Sequence, residues 1–279
     1  MSLFLSIAAW FILSAAVLLL IVLFYLNRYV NDYRVSSSVK TFDWNASHRV
    51  LAVLAHPDDE VMISGTLARL KARGSSVHAL YCTHGEDGPT GGLVEKKDLL
   101  KERTKELGEV ASILGYDSLE ILDHPDRYLN TVHQEQLAAD IKARIIQIQP
   151  DTVICFDDTI GLYGHTDHAH SGKTTQDLLK NEGLGVRNLL IMTLPKPLIS
   201  LAMRVSKTFR ERYNPENGLP PANFAVSMAA YGKQKHRVIK AHKTQWQVMG
   251  DVQPLWNKIP YFIYYRIFSR EYFQHKTIS

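Results

Sequence analysis

The chain has 279 residues, of which 46% are hydrophobic, and a formal net charge of +4 from 32 Lys and Arg against 28 Asp and Glu. This hydrophobic content is too high for a disordered chain, and so small and dispersed a charge does not indicate a nucleic-acid partner. Only two cysteines are present, which excludes a disulfide scaffold.

The first predicted element is an apolar helix over residues 3–26, which precedes every charged side chain. Such a helix is about 36 Å long and can cross a hydrocarbon core of roughly 30 Å. A cleaved signal peptide is the alternative, but it would have a basic start and a shorter apolar core. No Lys or Arg precedes the run, whereas Arg28, Arg34 and Lys40 follow it. The positive-inside rule therefore predicts a single-pass anchor with the N-terminus outside and the rest of the chain in the cytoplasm.

After the anchor (residues 1–27) and a polar linker (28–48), apolar runs typical of buried strands alternate with segments of helical periodicity. Strands are predicted at 49–55, 77–82, 119–122, 152–156, 189–194 and 224–229. Helices are predicted at 61–73, 93–114 and 133–149, with another that begins near His168. Repeated βα units favour one α/β domain over 49–279, with a doubly wound, mostly parallel, Rossmann-like sheet preceded by the transmembrane helix.

Clusters of polar residues follow four of the predicted strands. They are His56-Pro57-Asp58-Asp59-Glu60, the run 83–88, Asp123-His124-Pro125-Asp126, and Asp157-Asp158 with the later run 163–168. Ligands in such folds bind beyond the carboxyl ends of the strands, which lie at one edge of the sheet. The four clusters therefore predict one site.

The first and fourth clusters together suit a hydrolytic zinc site, which needs about three nitrogen or oxygen ligands and an open position for water. His56 and Asp59 lie at i and i+3 across a strand-to-helix turn, and His168 can supply the third ligand. Zinc lowers the pKa of bound water towards 7 and polarises a carbonyl oxygen. Asp58 is then a candidate for the general base.

Three further residues of the fourth cluster are candidates for catalysis. His165 can stabilise the developing oxyanion or protonate the leaving amine, and Asp167 can orient that imidazole. Tyr163 is a further candidate donor to the oxyanion. Each cluster alone has a plainer explanation, because Asp58 or Asp59 can cap the next helix and paired histidines are common on helix surfaces. Their occurrence together at neighbouring strand ends favours a metal site.

The motif Ala55-His56-Pro57-Asp58-Asp59-Glu60, together with Tyr163-Gly164-His165-Thr166-Asp167-His168, resembles the PIG-L/LmbE family of zinc-dependent de-N-acetylases. The resemblance runs from about residue 49 to residue 245 and departs from many relatives at Thr166, where they have Pro. It implies Zn2+ bound by His56, Asp59 and His168, with Asp58 as the base and His165 and Tyr163 at the oxyanion. It also implies removal of the acetyl group from N-acetylglucosamine-type sugars.

Four other polar residues are candidates for substrate binding: Arg103, Glu86, Asp126 and His242. His242 begins the run His242-Lys243-Thr244-Gln245, which resembles a late His-x-Ser/Thr-Gln element of the family. A purely structural role is an equal alternative for the first three.

The C-terminal segment 256–273 mixes aromatic residues with Lys258, Arg266 and Arg270. It is too charged to span a bilayer, and it suits either a helix at the membrane interface or an aromatic cap on the core.

These features predict a membrane-anchored, cytoplasm-facing zinc amidohydrolase that deacetylates an N-acetylhexosamine on a lipid carrier. The anchor is the reason to expect a lipid-linked substrate and contact with membrane lipid. Two alternatives stay open: the same chemistry on a soluble amino-sugar conjugate, and a non-catalytic, membrane-tethered module that binds metal or sugar.

Overall fold

The computed structural model describes residues 2–39, 42–43, 46–131 and 134–278, so Lys40 and the predicted helix start at His133 lie outside the described residues. The strands in these ranges are β1 (Arg49–Leu54), β2 (Ser76–Thr83), β3 (Ser118–His124), β4 (Thr152–Cys155), β5 (Asn188–Thr193), β6 (Phe224–Ser227) and β7 (Arg270–Thr277). The helices are α1 (Ser2–Val30), α2 (Ser64–Ala72), α3 (Leu99–Leu114), α4 (Gln134–Ile148), α5 (Gly161–Gly164), α6 (Thr166–Glu182), α7 (Lys196–Val205), α8 (Lys207–Arg212), α9 (Gly232–Ala241), α10 (Trp246–Val252) and α11 (Tyr261–Ile267).

The seven strands form one sheet in the order β3-β2-β1-β4-β5-β7-β6. The strands from β3 to β5 pair in parallel, whereas β7 is antiparallel to both β5 and β6. The prediction of a mostly parallel α/β sheet is confirmed. The connection order reverses between β1 and β4, so a crevice opens at the carboxyl ends of these two strands, where such folds bind ligands.

Helices cover the sheet in two layers, which explains the apolar strands. α2, α3 and α9 pack against one another, and α4 packs against α6. Residues 50–54 of β1 and all of β4 are buried. A near-continuous apolar run is what a strand covered on both faces requires.

The C-terminal aromatic segment belongs largely to the core, as the cap alternative predicted. Trp256, Tyr264 and Tyr265 are buried, and the segment ends in β7, a strand that the sequence did not predict. β7 contains charged residues, so its sequence does not show the apolar run expected of a buried strand. One of them, Glu271, is nevertheless buried, because its charge is paired. Its carboxylate accepts hydrogen bonds from Lys235 Nζ (2.6 Å) and from the backbone N–H of Thr66 (2.7 Å).

The N-terminal helix α1 includes a candidate membrane span of 24 residues, Ile7–Val30, whose most apolar 18-residue window has a mean hydropathy of 2.9 and is not buried. It is long and apolar enough to cross a membrane. Its C-terminal end is tied to α11: Asn27 Nδ2 donates to the carbonyl oxygen of Arg266 (2.6 Å), and Asn31 Nδ2 donates to that of Ile267 (2.7 Å). The region predicted as a linker therefore begins within a docked helix.

Candidate metal centre and active site

The three predicted metal ligands lie together at the ends of β1 and β4. His168 Nε2 is 3.3 Å from His56 Nδ1 and 3.0 Å from Asp59 Oδ1, and His56 Nδ1 is 3.7 Å from Asp59 Oδ2. All three side chains are buried. Two imidazole nitrogens and a carboxylate oxygen, from His56, His168 and Asp59, therefore face one point, which we call the metal point. They are a suitable donor set for zinc or a similar divalent cation.

Backbone N–H groups just after β1 hold the side chain of Asp59 in place. Asp59 Oδ2 accepts hydrogen bonds from the backbone N–H groups of Ala55 (2.9 Å) and His56 (2.7 Å). The other carboxylate oxygen is therefore directed at His168. Although burial alone would raise the pKa of Asp59, its interactions with His168 and His56 outweigh that effect and hold the pKa well below its usual range.

His168 is held by the segment that follows β4. Its Nδ1 lies 3.2 Å from the carbonyl oxygen of Gly161, and its ring stacks on Phe156 with the centroids 3.9 Å apart. A proton on Nδ1 leaves Nε2 free to bind a cation. Gly161 has φ +62°, and a Cβ there would lie only 2.4 Å from the backbone nitrogen of Ala169. Glycine is therefore required for this close approach.

Two carboxylates hold the other side of His56. Its Nε2 lies 3.1 Å from Asp126 Oδ1 and 3.2 Å from Asp167 Oδ2, so Nδ1 is left for the metal point. Asp167 therefore supports His56, and the prediction that it orients His165 is corrected. Within the part of the chain that is described, Nδ1 of His165 has no hydrogen-bond partner. Asp126, predicted to bind substrate, also contacts His56.

His165 stands beside the predicted ligands. Its ring stacks on that of His168 with the centroids 4.5 Å apart, and nitrogen atoms of His56, His165 and His168 lie within 4.8 Å of one another. Burial lowers the pKa of His165 to about 2, and the neighbouring imidazoles add to this effect, so its ring is neutral. Tyr163 lies next to both, with ring centroids 6.1 Å from His165 and 5.2 Å from His168.

Asp58 lies in an unusual backbone conformation next to this cluster. Its φ of 107° lies in the region that favours glycine, and such strain often accompanies a functional site. Burial raises the pKa of its carboxyl to about 6. General bases work best with a pKa near the operating pH, so the environment of Asp58 suits the role predicted for it.

Arg103, predicted to bind substrate, lines the polar cavity at the site and also holds the Asp58 turn. It is buried, its Nη2 lies 3.2 Å from Asp58 Oδ1, and its Nη1 donates to the carbonyl oxygen of Gly85 (2.7 Å). Nη2 also donates to the carbonyl oxygen of Pro57. The guanidinium thus joins the turn after β1 to the turn after β2.

His242 does not reach the site directly, which corrects its predicted role in substrate binding. It is fully buried, and its Nε2 lies 2.5 Å from Glu60 Oε1. Glu60 Oε2 accepts from Tyr81 Oη (2.9 Å) and from the backbone N–H of Asp58 (3.1 Å). Among the described residues, hydrogen bonds therefore connect His242 to Asp58 through Glu60.

Glu86, also predicted to bind substrate, makes a hydrogen bond that helps to hold two loops together. Its Oε1 accepts from the backbone N–H of Asp126 (3.0 Å), and Asp126 Oδ2 accepts from the backbone N–H of Asp87 (2.7 Å). These bonds join the loop after β2 to the loop after β3, and so place the carboxylate that contacts His56.

A polar cavity of about 490 Å³ opens in front of the metal point. Asp58, Tyr163 and His165 line it. Arg127 and Arg212, which the sequence did not single out, also line it, and so does Gln245, which was not predicted to bind substrate. Gln245 ends the His242-Lys243-Thr244-Gln245 run, so this run does reach the cavity, although through its last residue rather than its first. Arginine and amide side chains are suitable partners for the hydroxyl groups of a sugar.

Comparison with known proteins gives consistent matches. The PIG-L family, described as GlcNAc-PI de-N-acetylase, matches residues 51–179. A 1D-myo-inositol 2-acetamido-2-deoxy-alpha-D-glucopyranoside deacetylase from Mycolicibacterium vanbaalenii is 27% identical, over 73% of this chain and 82% of the relative. The diacetylchitobiose deacetylase of Thermococcus kodakarensis is 28% identical, over 76% of this chain and 75% of the relative. The structure of N,N'-diacetylchitobiose deacetylase from Pyrococcus horikoshii shares the fold, with a TM-score of 0.61, 19% identity, and coverage of 84% of this chain and 85% of that chain.

Proposed function

This chain belongs to the PIG-L/LmbE family of de-N-acetylases, and from that premise we propose that it hydrolyses the N-acetyl group of an N-acetylglucosamine-type sugar on a lipid carrier. The observation that supports the chemistry is the arrangement of His56, Asp59 and His168 around one point, beside the buried carboxyl of Asp58. The family membership also favours an enzyme over a non-catalytic binding module.

The proposed roles follow from the contacts. Zinc held by His56, Asp59 and His168 would supply a Lewis acid that polarises the amide carbonyl and acidifies water. Asp58 accepts the proton of the attacking water and returns a proton to the leaving amine nitrogen. Arg103 fixes the orientation of the Asp58 carboxylate. Tyr163 and His165 line the cavity at this point and donate hydrogen bonds to the oxygen on which negative charge develops.

The sugar is proposed to occupy the polar cavity. Arg127, Arg212 and Gln245 offer donors and an acceptor at its wall, at a distance along the chain from the catalytic motifs. Two relatives act, by name, on an acetylated glucosaminyl inositol and on diacetylchitobiose, which share a 2-acetamido sugar and differ in what is attached to it. The polar cavity is therefore assigned to the shared sugar.

The lipid carrier is proposed because of α1. A helix that is long and apolar enough to span a bilayer, and that is tied by Asn27 to α11, would hold the catalytic domain at a membrane surface. A soluble substrate would not need such an arrangement.

The substrate proposal predicts a preference that product analysis can measure. The full chain in mild detergent is incubated with an N-acetylglucosaminyl glycolipid and with diacetylchitobiose, and the sugars are analysed by mass spectrometry. We expect loss of one acetyl group from both and faster loss from the glycolipid. Equal or slower loss from the glycolipid would contradict the lipid carrier and leave the soluble conjugate as the substrate.

We also propose that residues 1–27 span the membrane once, with the N-terminus outside and residues 49–279 in the cytoplasm. Arg28 and Arg34 follow the apolar run, and no basic side chain precedes it. A reporter active only in the cytoplasm should be active when fused after Ser279. A reporter that is active only outside the cytoplasm should be inactive there, and the reverse pattern would contradict this topology.

A further inference from the structure

A second cavity, of about 160 Å³ and mostly apolar, lies beside the candidate active site between α7, α10 and α11. Its wall includes Leu198, Leu201 and Ala202 from α7, Val252 from α10, and Tyr264 from α11. The buried ion pair between Lys235 and Glu271 also borders it, with 2.6 Å between the charged atoms. These two charges are paired with each other, and most of the exposed wall of the cavity is apolar.

The apolar cavity and the polar cavity meet at the catalytic residues. Asp58, Asp59 and Tyr163 line both, and so do Val248 and Val252 of α10. The meeting point of the two cavities is therefore the place where the amide to be hydrolysed must lie.

The chemistry of an amide assigns one substituent to each cavity. Its nitrogen carries the sugar, which we have placed in the polar cavity, and its carbonyl carbon carries the acyl chain. The carbonyl group must lie at the metal point, so the acyl chain leaves that point on the side away from the sugar. An acetyl group would use only the mouth of the apolar cavity.

From this geometry we propose that the enzyme hydrolyses N-acyl amino sugars whose acyl chain is longer than acetyl, and that the chain lies in the apolar cavity. In the reaction, water adds to the carbonyl carbon and the C–N bond breaks. The N-acyl sugar and water give a fatty carboxylate and a sugar ammonium, so that no other reactant is needed. The inference rests on the amide hydrolysis proposed above, but not on the lipid carrier.

The position of the cavity relative to α1 supports an amphiphilic substrate. α7 and α11, which form two of its walls, are also the helices against which α1 packs. Arg204 Nη1 on α7 donates to Tyr29 Oη (3.2 Å), and Asn27 bonds to the backbone of α11. The end of the apolar helix and the apolar cavity therefore lie on the same side of the domain.

The test uses glucosamine acylated with acetyl, butyryl, hexanoyl and octanoyl groups, and the full chain in mild detergent. We expect kcat/KM to rise by about fourfold per added methylene until the cavity is full, the factor that corresponds to about 0.8 kcal/mol. Octyl glycosides of N-acetylglucosamine form a second arm. A rise confined to this arm would assign the cavity to the aglycone and overturn the proposal.

Variants on α7 separate the cavity from general effects on folding. Ala202 is half-buried and lines the cavity, whereas Ser200 on the same helix is exposed. Ala202→Phe should lower kcat/KM for the octanoyl sugar by at least about tenfold and for the acetyl sugar by less than about twofold. Ser200→Phe should change neither. An equal loss for both sugars with Ala202→Phe would contradict the proposal.

A binding measurement provides a readout that does not depend on turnover. Octanoate, the expected carboxylate product, is titrated into the full chain by calorimetry. We expect saturable binding to the wild type and to Ser200→Phe, and much weaker binding to Ala202→Phe. Binding unaffected by Ala202→Phe would overturn the assignment of the chain to this cavity. Absence of hydrolysis of every sugar, including the acetyl one, would instead contradict the proposed function.

Discussion

Replacing Asp58 with asparagine is expected to lower kcat by about 10²- to 10⁴-fold, the contribution typical of a positioned general base. The amide has nearly the shape of the carboxylate but cannot accept the proton of water. His56, Asp59 and His168 are unchanged in this variant, so the bound metal should stay near the wild-type amount. Acetate release and metal content are measured on the same preparation.

Asp123→Asn is the matched control for this substitution. Asp123 lies near the carboxyl end of β3, at the same edge of the sheet, but its side chain is 96% exposed and contacts His84 rather than the cluster. We expect wild-type kcat from it. If Asp58→Asn retained full activity, Asp58 would not be the base, and the proton would have to pass through another group.

Removing a predicted metal ligand should have an effect at least as large. His168→Gln is expected to lower the metal content well below that of the wild type and to lower activity by at least about 10²-fold, since even changes to groups behind a ligand produce effects of that order. Glutamine is chosen because it keeps a polar side chain of similar length beside Phe156. Metal analysis after dialysis and acetate release measure the two effects.

His170→Gln tests whether the effect is specific to the cluster. His170 lies two residues further along α6, and its Nε2 has no hydrogen-bond partner among the described residues. It should retain both metal and activity. Thermal melting of both variants separates loss of metal from loss of folding. A folded His168→Gln protein with wild-type metal content would remove His168 from the ligand set.

The parallel part of the fold could be predicted because its sequence signals are local. β1, β4 and β5 are buried apolar runs. α3 ends just before Gly115, whose φ of 68° is a left-handed conformation that glycine adopts readily. The meeting of His56, Asp59 and His168 could also be anticipated, because two parallel strands that flank a change in connection order end at the same edge of the sheet.

What could not be predicted depends on contacts between residues far apart in the chain. The charged residues of β7 argue against a buried strand when only the sequence is considered. Lys235 pairs with Glu271 and so permits its burial, but no local sequence pattern links these two residues. Asp167 lies next to His168 in sequence, yet its carboxylate faces His56, because the helix turns it towards the loop after β3. The position of Asp167 in the sequence motif does not indicate which way its carboxylate points.

The polar residues at the cavity wall illustrate the same point. Arg212 belongs to the short helix α8 and Arg127 to the loop after β3, and neither lies in a catalytic motif. His242 and Gln245 lie three residues apart, but one is buried against Glu60 and the other lines the cavity. Only the fold distinguishes the residue that supports the site from the one that borders it.

Chelation tests most directly whether this chain performs a metal-dependent hydrolysis. Acetate release from an N-acetylglucosaminyl glycolipid is followed before and after a chelator is added, and again after zinc is returned in excess over the chelator. We predict that the chelator abolishes release and that zinc restores it in the wild type but not in Asp58→Asn. Acetate release that continues at the same rate in a metal-free, chelated preparation would contradict the account.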